Sequence, residues 1–398
     1  MQSDRDQESP LRRNPRYHLL DVWRGVACLM VVLHHAGFAV VLDPGTAASS
    51  LESWLRWGFV SILWRMNLGV ALFFVISGYC IGASVDATRR RGKGALNFLG
   101  RRIWRIYPPY WAALAGFVLI ISSLDALGLR RYYEGVGLHA LQLTPPGDLD
   151  AVQWVGNITL TEEWRPLVWS PPPRKVYTRV AWSLCYEEQF YFVCFAALLF
   201  APRRLYGLLT TITLCAGVIR IAAADSGRLD SIDGSFLYLW QEFAIGLAVY
   251  WRLNVAESDS SKRGIELALG LIALWGCFVP FTTPVGYSTT LTGLFGLVLI
   301  ALRDRDDQLS NSPWLRPLQA CGRRCYSIYL IHLPVCTIGN LWLHERGLTG
   351  FWERCLVMIP LVSCASVGVS WLFFWGVERH FLNPPMIPRT KERADATA

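Results

Sequence analysis

The residues best suited to chemistry sit inside sequence that otherwise looks like hydrocarbon. In LLDVWRGVACLMVVLHHAGFAVVL, residues 19 to 42, an Asp, an Arg and two histidines interrupt a run fit for the middle of a bilayer. At about 100° per residue on a helix, Asp21, Arg24, Cys28, Val31 and His35 share one stripe, while His34 points aside. Asp21 and Arg24 are spaced to pair, and His35 stands about 21 Å further along the axis at ~1.5 Å per residue. An imidazole at that depth is held neutral by the cost of charging it away from water, and a neutral imidazole accepts a proton. His35 is the candidate general base and His34 a structural residue. For Asp21 and Arg24, stitching helices together and a functional role fit the sequence equally.

Four further stretches carry candidates. In NFLGRRIWRIYPPYW, residues 97 to 111, Arg102 and Arg105 fall on one helical face at a membrane boundary. They read either as topology anchors, with Trp104, Tyr107, Tyr110 and Trp111 as an aromatic belt, or as a phosphate clamp. On this pattern alone anchoring wins. AWSLCYEEQFYF, residues 181 to 192, puts Ser183 and Glu187 on one face with Glu188 on the next. Two adjacent acids entering an apolar span are costly and call for a partner Arg or a proton-handling role. YSIYLIHLPV adds His332, and LGVALFFVISGYCIG adds Ser77 at a glycine-flexed point; such single polar residues are more often satisfied core groups than ligands.

The elements that position these residues follow from composition. The chain of 398 residues is 53% hydrophobic and 17% charged, which places it in a membrane. A hydrocarbon core about 30 Å thick needs roughly 20 mainly apolar residues per crossing. Ten segments qualify, near residues 18–42, 66–87, 106–124, 180–201, 205–224, 235–252, 264–283, 286–302, 324–344 and 355–381. Runs this apolar must be helical, since lipid offers the backbone no hydrogen bonds. The fold class is all-α, a polytopic membrane protein with about ten transmembrane helices and both termini cytoplasmic. That orientation puts 25 of the 38 basic residues on the inner side, as the positive-inside rule requires.

The chain divides into a cytoplasmic tail at 1–17, one membrane domain over 18–382, and a second cytoplasmic tail at 383–398 that reads as disordered. Long outer connections are expected at 43–65 and 125–179, the latter Pro-rich and either a lid or a structural cap. The formal charge of +8 is explained by topology, so no nucleic-acid partner is expected. Most of the eleven cysteines lie inside apolar runs without zinc spacing, so neither a metal site nor a disulfide framework is expected. No internal repeat is visible, which argues against the inverted-repeat transporters.

Taken in order, LDVWRGVACLMVVLHH, FFVISGYCI, RRIWRIYPPY, WSLCYEEQFY, YSIYLIHLPV and the late Glu378 resemble the acyltransferase 3 family of integral-membrane O-acyltransferases. The likeness covers nearly the whole chain. It puts the family's functional histidine on His35, its first-span Asp and Arg on Asp21 and Arg24, and its paired arginines on Arg102 and Arg105. Its Trp-Ser-Leu-x-x-Glu-Glu falls on Trp182, Ser183, Glu187 and Glu188. Departures are Cys185, Tyr186 and a Glu378 followed by Arg379 and His380 without the frequent proline.

The resemblance implies transfer of an acyl group, commonly acetyl, from acyl-CoA to a sugar hydroxyl. Acyl-CoA (acetyl-CoA in the usual case) is a co-substrate, and no bound cofactor is expected. Asp21, Arg24, His35 and Glu187 are then the candidate catalytic residues and Arg102 and Arg105 the donor clamp; Ser77, Trp182, Ser183, Glu188 and His332 support substrate or site. The acceptor class is a carbohydrate, whether cell-envelope glycan or glycosylated metabolite, and the setting is the inner or plasma membrane of a bacterium in contact with lipid. Oligomeric state is open. With nothing left after the tenth span for an extracytoplasmic domain, a stand-alone membrane unit is expected. The competing reading is a proton-coupled transporter or flippase for a glycan or metabolite, whose buried acids and histidines would relay protons.

Overall fold

The computed structural model describes residues 17–42, 45, 49–134, 143–278 and 284–382. The tails expected at 1–17 and 383–398 lie outside the described residues, except for Tyr17. Among the described residues all regular structure is helical, with no strand. The principal helices are α1 (Leu19–Ala36), α2 (Ser50–Arg65), α3 (Gly69–Arg90), α4 (Ala95–Ala126), α5 (Ala151–Ile158), α6 (Trp182–Phe200) and α7 (Leu205–Asp225). They continue as α8 (Trp240–Asn254), α9 (Asp259–Phe278), α10 (Pro284–Ala301), α11 (Arg316–Arg323), α12 (Cys325–Glu345) and α13 (Ile359–Gly376).

Every segment expected to span contains a helix, but among the described residues only six helical stretches are long and apolar enough to cross by themselves. These are Leu19–Ala36, Ser50–Arg90, Ala95–Ala126, Pro202–Asp225, Cys325–Glu345 and Phe351–Gly376. Length and composition make the chain a multi-pass membrane protein. The other four helices fall short of that standard for visible reasons. Glu187 and Glu188 interrupt α6, α8 has only 15 residues and includes Glu242 and Arg252, and α9 opens on the polar DSSKRG. The described apolar part of α10, Ser288–Ala301, is also short.

Three boundaries differ from the sequence expectation. The first span stops at Ala36, because Gly37 breaks it against the Leu63 side chain before a separate short helix, Phe38–Leu42. The outer connection 43–65 contains α2, started by Ser49, whose hydroxyl accepts the Glu52 N–H at 3.2 Å, a helix-start signal already present in the sequence. The third span begins at Ala95, not near 106, so Arg102 lies two turns inside α4.

Helix α1 sits at the centre, packed against α3, α11, α12 and α13. Two glycine contacts allow the close approach. A Cβ on Gly25 would collide with the Leu318 carbonyl of α11, and one on Gly322 with the Asp21 carbonyl of α1. The α3–α8 pair is made the same way, with Gly78 against the Phe243 carbonyl and Gly246 against that of Val75. Small residues at helix interfaces let backbones meet where apolar side chains gain nothing over lipid. This corrects the reading of the glycine beside Ser77: Gly78 is a packing contact within a continuous helix, not a flexed point.

The connection 143–179 is a docked cap. Tyr110 donates to the Asn157 carbonyl at 2.7 Å, Trp111 Nε1 to Ile158 at 2.9 Å, and Tyr107 to Thr159 at 2.9 Å. Three of the four aromatic residues expected to form a membrane belt therefore pin α5 and its exit to α4. Inside the cap Arg165 makes a two-point contact with the buried Glu162, at 2.8 and 2.9 Å.

Candidate functional site

Within α1 the expected pair forms: Arg24 Nη1 donates to Asp21 Oδ1 at 2.7 Å. The second amino group of Arg24 reaches across to α3 and donates to Cys80 Sγ at 2.9 Å. Arg24 thereby enters a cavity of about 250 Å³ that also takes Ser77, Cys80, Arg102, Arg105, Ser183, Glu187 and Tyr191 into its walls. Ser77 Oγ donates to Glu187 Oε1 at 2.5 Å. The Arg102 guanidinium lies 5.8 Å from the centroids of both the Phe98 and the Tyr191 rings, within cation–π range. Arg24 is matched by Asp21, and Arg102 and Arg105 face the single carboxylate of Glu187, which leaves this cavity positive. Arg102 thus lies two turns inside α4 and faces the cavity rather than sitting at the helix end.

A second cavity of about 290 Å³ is lined by Val31, His34, His35, Asn67, Trp182, Arg220, Tyr238, Glu242 and Ser288, among others. Val70 and Phe74 line both cavities, so the two spaces share a wall on α3. His34 is tied off, its Nδ1 3.0 Å from the Leu63 carbonyl, in agreement with a structural role.

The hydrogen bonds around His35 settle which nitrogen is available. His332 Nδ1 lies 2.9 Å from the Ile328 carbonyl, which can only accept, so that nitrogen carries the proton and Nε2 holds a lone pair. His332 Nε2 is 3.1 Å from His35 Nδ1, and His35 Nδ1 is 3.0 Å from the Val31 carbonyl. Both neighbours of His35 Nδ1 are acceptors, so Nδ1 is the N–H and Nε2 is the lone-pair nitrogen. His332 itself is fully buried, and behind it Tyr329 shares a hydrogen bond with Ser183 Oγ at 2.7 Å.

The structure thus groups Arg24, Ser77, Arg102, Arg105, Ser183 and Glu187 around the first cavity, with Asp21 paired to Arg24 behind them, and His35 and Trp182 on the second, with His332 in contact with His35. Glu187 stands with the arginines and not beside His35. Glu188 faces elsewhere, its Oε1 bonded to the Tyr107 hydroxyl and its buried Oε2 without a partner among the described residues. Glu378 accepts from the Ser327 N–H at 2.9 Å and from the Ser327 hydroxyl. It caps the first turn of α12, the helix that carries His332.

Sequence reasoning missed Asn67 and the buried pair Arg220–Glu242, joined at 3.1 and 3.2 Å. Each charge alone inside an apolar run was a signal that a partner of opposite sign was needed.

The "Acyltransferase domain" model of acyltransferase 3 matches residues 17–375. The chain belongs to the acyltransferase 3 family. It is an O-acyltransferase, and every residue on the two cavities falls within the matched range. Relatives of this acyltransferase include bacterial proteins. It is 27% identical over 357 residues to the "Putative membrane-bound transacylase BcsY" of Komagataeibacter xylinus, covering 87% of this chain and 80% of that protein. It is 25% identical over 403 residues to the "Putative peptidoglycan O-acetyltransferase YrhL" of Bacillus subtilis, with 92% and 54% covered. It is 26% identical over 360 residues to the "Peptidoglycan O-acetyltransferase OatA" of Listeria monocytogenes, with 82% and 51% covered. The chain spans about half the length of the latter two. No solved structure gives a significant match.

Proposed function

We propose that this acyltransferase moves an acyl group, acetyl in the first instance, from acyl-CoA to a hydroxyl of a carbohydrate. The observation that carries the reading is the free Nε2 lone pair of His35, facing a cavity that shares a wall with the arginine-lined one. The donor's phosphates would lie against Arg24, Arg102 and Arg105, which suit phosphate by charge and by paired N–H groups. Glu187, bonded to Ser77, would hold the inner part of this wall in place.

In the transfer step the acceptor hydroxyl gives its proton to His35 Nε2 as its oxygen attacks the thioester carbon. The carbon–sulfur bond then breaks, and the CoA sulfur leaves with the proton returned by the imidazolium. While His35 is charged, its Nδ1–H donates to His332 Nε2, a charge-assisted bond that favours the protonated ring. General base catalysis of this kind contributes about 10² to 10⁴ in rate. A carbohydrate acceptor and an acetyl group are supported by relatives whose printed names are peptidoglycan O-acetyltransferase. The reading places the chain in a bacterial inner or plasma membrane, crossing ten times with both termini cytoplasmic, so that the arginines face the side where acyl-CoA is made.

The test is His35→Ala in membranes supplied with acetyl-CoA and a carbohydrate acceptor. Release of free CoA with acylated product should fall by at least about a hundredfold at unchanged expression; full activity in the variant would refute the reading. A transporter would instead move the carbohydrate without consuming acetyl-CoA.

A further inference from the structure

Tyr186, one of the departures from the family motif on α6, is 1% exposed. Burying a phenol that deep is costly unless its hydroxyl is bonded. Here the hydroxyl donates to Asp233 Oδ1 at 2.7 Å and accepts the Gly234 N–H at 2.6 Å. Three residues on, Gln189 holds the same segment between α7 and α8, donating to the Gly234 carbonyl at 2.9 Å and accepting the Phe236 N–H at 2.7 Å. The ring of Tyr186 stands edge-on to Trp182, with centroids 5.9 Å apart, and lies 6.4 Å from the ring of Tyr238. Both of those neighbours line the His35 cavity.

The other oxygen of Asp233 leads to the cap. It accepts from Arg174 Nη2 at 2.7 Å, and Arg174 Nη1 donates to Glu163 Oε1 at 2.9 Å. Gly234 completes the junction, since a Cβ there would collide with the Glu163 carbonyl. The cap ends at Arg179, an exposed residue three positions before Trp182 whose charge is felt at His35.

From this chain of contacts we infer that Tyr186 is a positioning residue that couples the cap to the walls of the His35 cavity, through Asp233 and Arg174. The inference rests on the acyl-transfer reading for the use made of the cavity, and extends it to what controls access to the base. Arg174 and Asp233 are 37% and 31% exposed, so their ion pair is weak by itself and opens readily. Tyr186 is the buried end of the same chain, and withdrawal of Asp233 leaves its hydroxyl one bond short in an apolar setting. Release of the cap therefore frees the Tyr186 ring and, with it, the two aromatic walls that screen His35 Nε2. A docked cap holds those walls in place.

The experiment treats the full chain in membranes with diethyl pyrocarbonate, which modifies neutral imidazole, and follows each histidine by peptide mass spectrometry. No turnover is needed, so the result is independent of the acyl-transfer reading, which fails separately on full activity in His35→Ala. Tyr186→Phe keeps the ring and removes the link. It should raise the labelling rate at His35 about tenfold, the value of one hydrogen bond to a charged group, while the exposed His18 and His380 react as in the wild type. Arg174→Gln should do the same from the cap side, and Arg174→Lys should recover part of the protection. Tyr186→Phe combined with Arg174→Gln should add little to either alone, because both break one chain. Unchanged labelling of His35 in the single variants, or effects that multiply in the double variant, overturns the inference. An equal rise at every histidine overturns it as well, since that reports general loosening. If Tyr186→Phe fails to accumulate, Arg174→Gln, at the exposed end of the chain, decides by the same readout.

Discussion

His332 Nε2 stands 3.1 Å from His35 Nδ1, across 297 residues of sequence. This contact turns two isolated intramembrane histidines into an ordered pair, because the Ile328 and Val31 carbonyls fix one proton on each Nδ1. In the proposed mechanism the outer nitrogen of His35 meets substrate, and His332 is a positioning residue whose Nε2 accepts from the protonated His35 ring.

His332→Ala should therefore lower kcat by about tenfold to a hundredfold, the value of one hydrogen bond to a charged group, with little change in either KM. His332→Gln, which keeps an acceptor near the same place, should recover part of the loss. Steady-state kinetics on membranes separate this from a purely structural role, which would give equal defects in both variants and lower expression.

Arg102 projects into the positive cavity from two turns inside α4. Arg102→Ala combined with Arg105→Ala should raise the KM for acetyl-CoA by about tenfold to a hundredfold, as expected for charge-assisted contacts to phosphate. The acceptor KM should be unaffected. Unchanged donor affinity would reduce the two arginines to topology signals.

The contact between α1 and α11 should be intolerant of even one methyl group at its glycines. Gly322→Ala places a Cβ into the Asp21 carbonyl and should destabilise the protein by about 1–3 kcal/mol, displacing the Asp21–Arg24 pair and lowering activity. Gly100→Ala, in α4 with nothing near its Cβ, should instead be neutral or stabilising by about 0.5–1 kcal/mol. Thermal unfolding in detergent compares the two directly.

Glu163, in the cap, has its carboxyl pushed up to about 7 by burial, against the opposing pull of Arg174. The folded state thus binds a proton where the unfolded chain, with an ordinary value of 4.5, has released it. This contribution to stability is fully present below about 4.5 and is lost as pH rises through about 7. Glu163→Gln should flatten the dependence of the melting temperature on pH across that window. An unchanged slope would show that Glu163 does not titrate there.

What the sequence revealed was local. The stripe from Asp21 to His35 and the Asp21–Arg24 pair follow from helix geometry alone, and both are present. The partner of His35 could not be read the same way, since nothing within α1 or α12 specifies how the two helices are juxtaposed. Arg102 was ambiguous for a different reason: an arginine at the edge of an apolar run looks the same whether it ends a span or turns into a cavity. Only the packing of Tyr191 and Phe98 around it separates the two. Gly78 shows the converse problem, because a glycine needed for a neighbour's backbone leaves the same trace as one needed for a bend.

Because α1 carries both Arg24 and His35 on one unbroken helix, the interval between guanidinium and imidazole is that of a rigid ruler, roughly 16–17 Å at ~1.5 Å per residue. Under the proposed acyl transfer, a donor would have to be extended to use both ends at once, with its charge at one extremity and its reactive carbon at the other. Compact acyl donors such as acetyl phosphate would bring the two too close together to be measured against it, and length alone should make them poor donors.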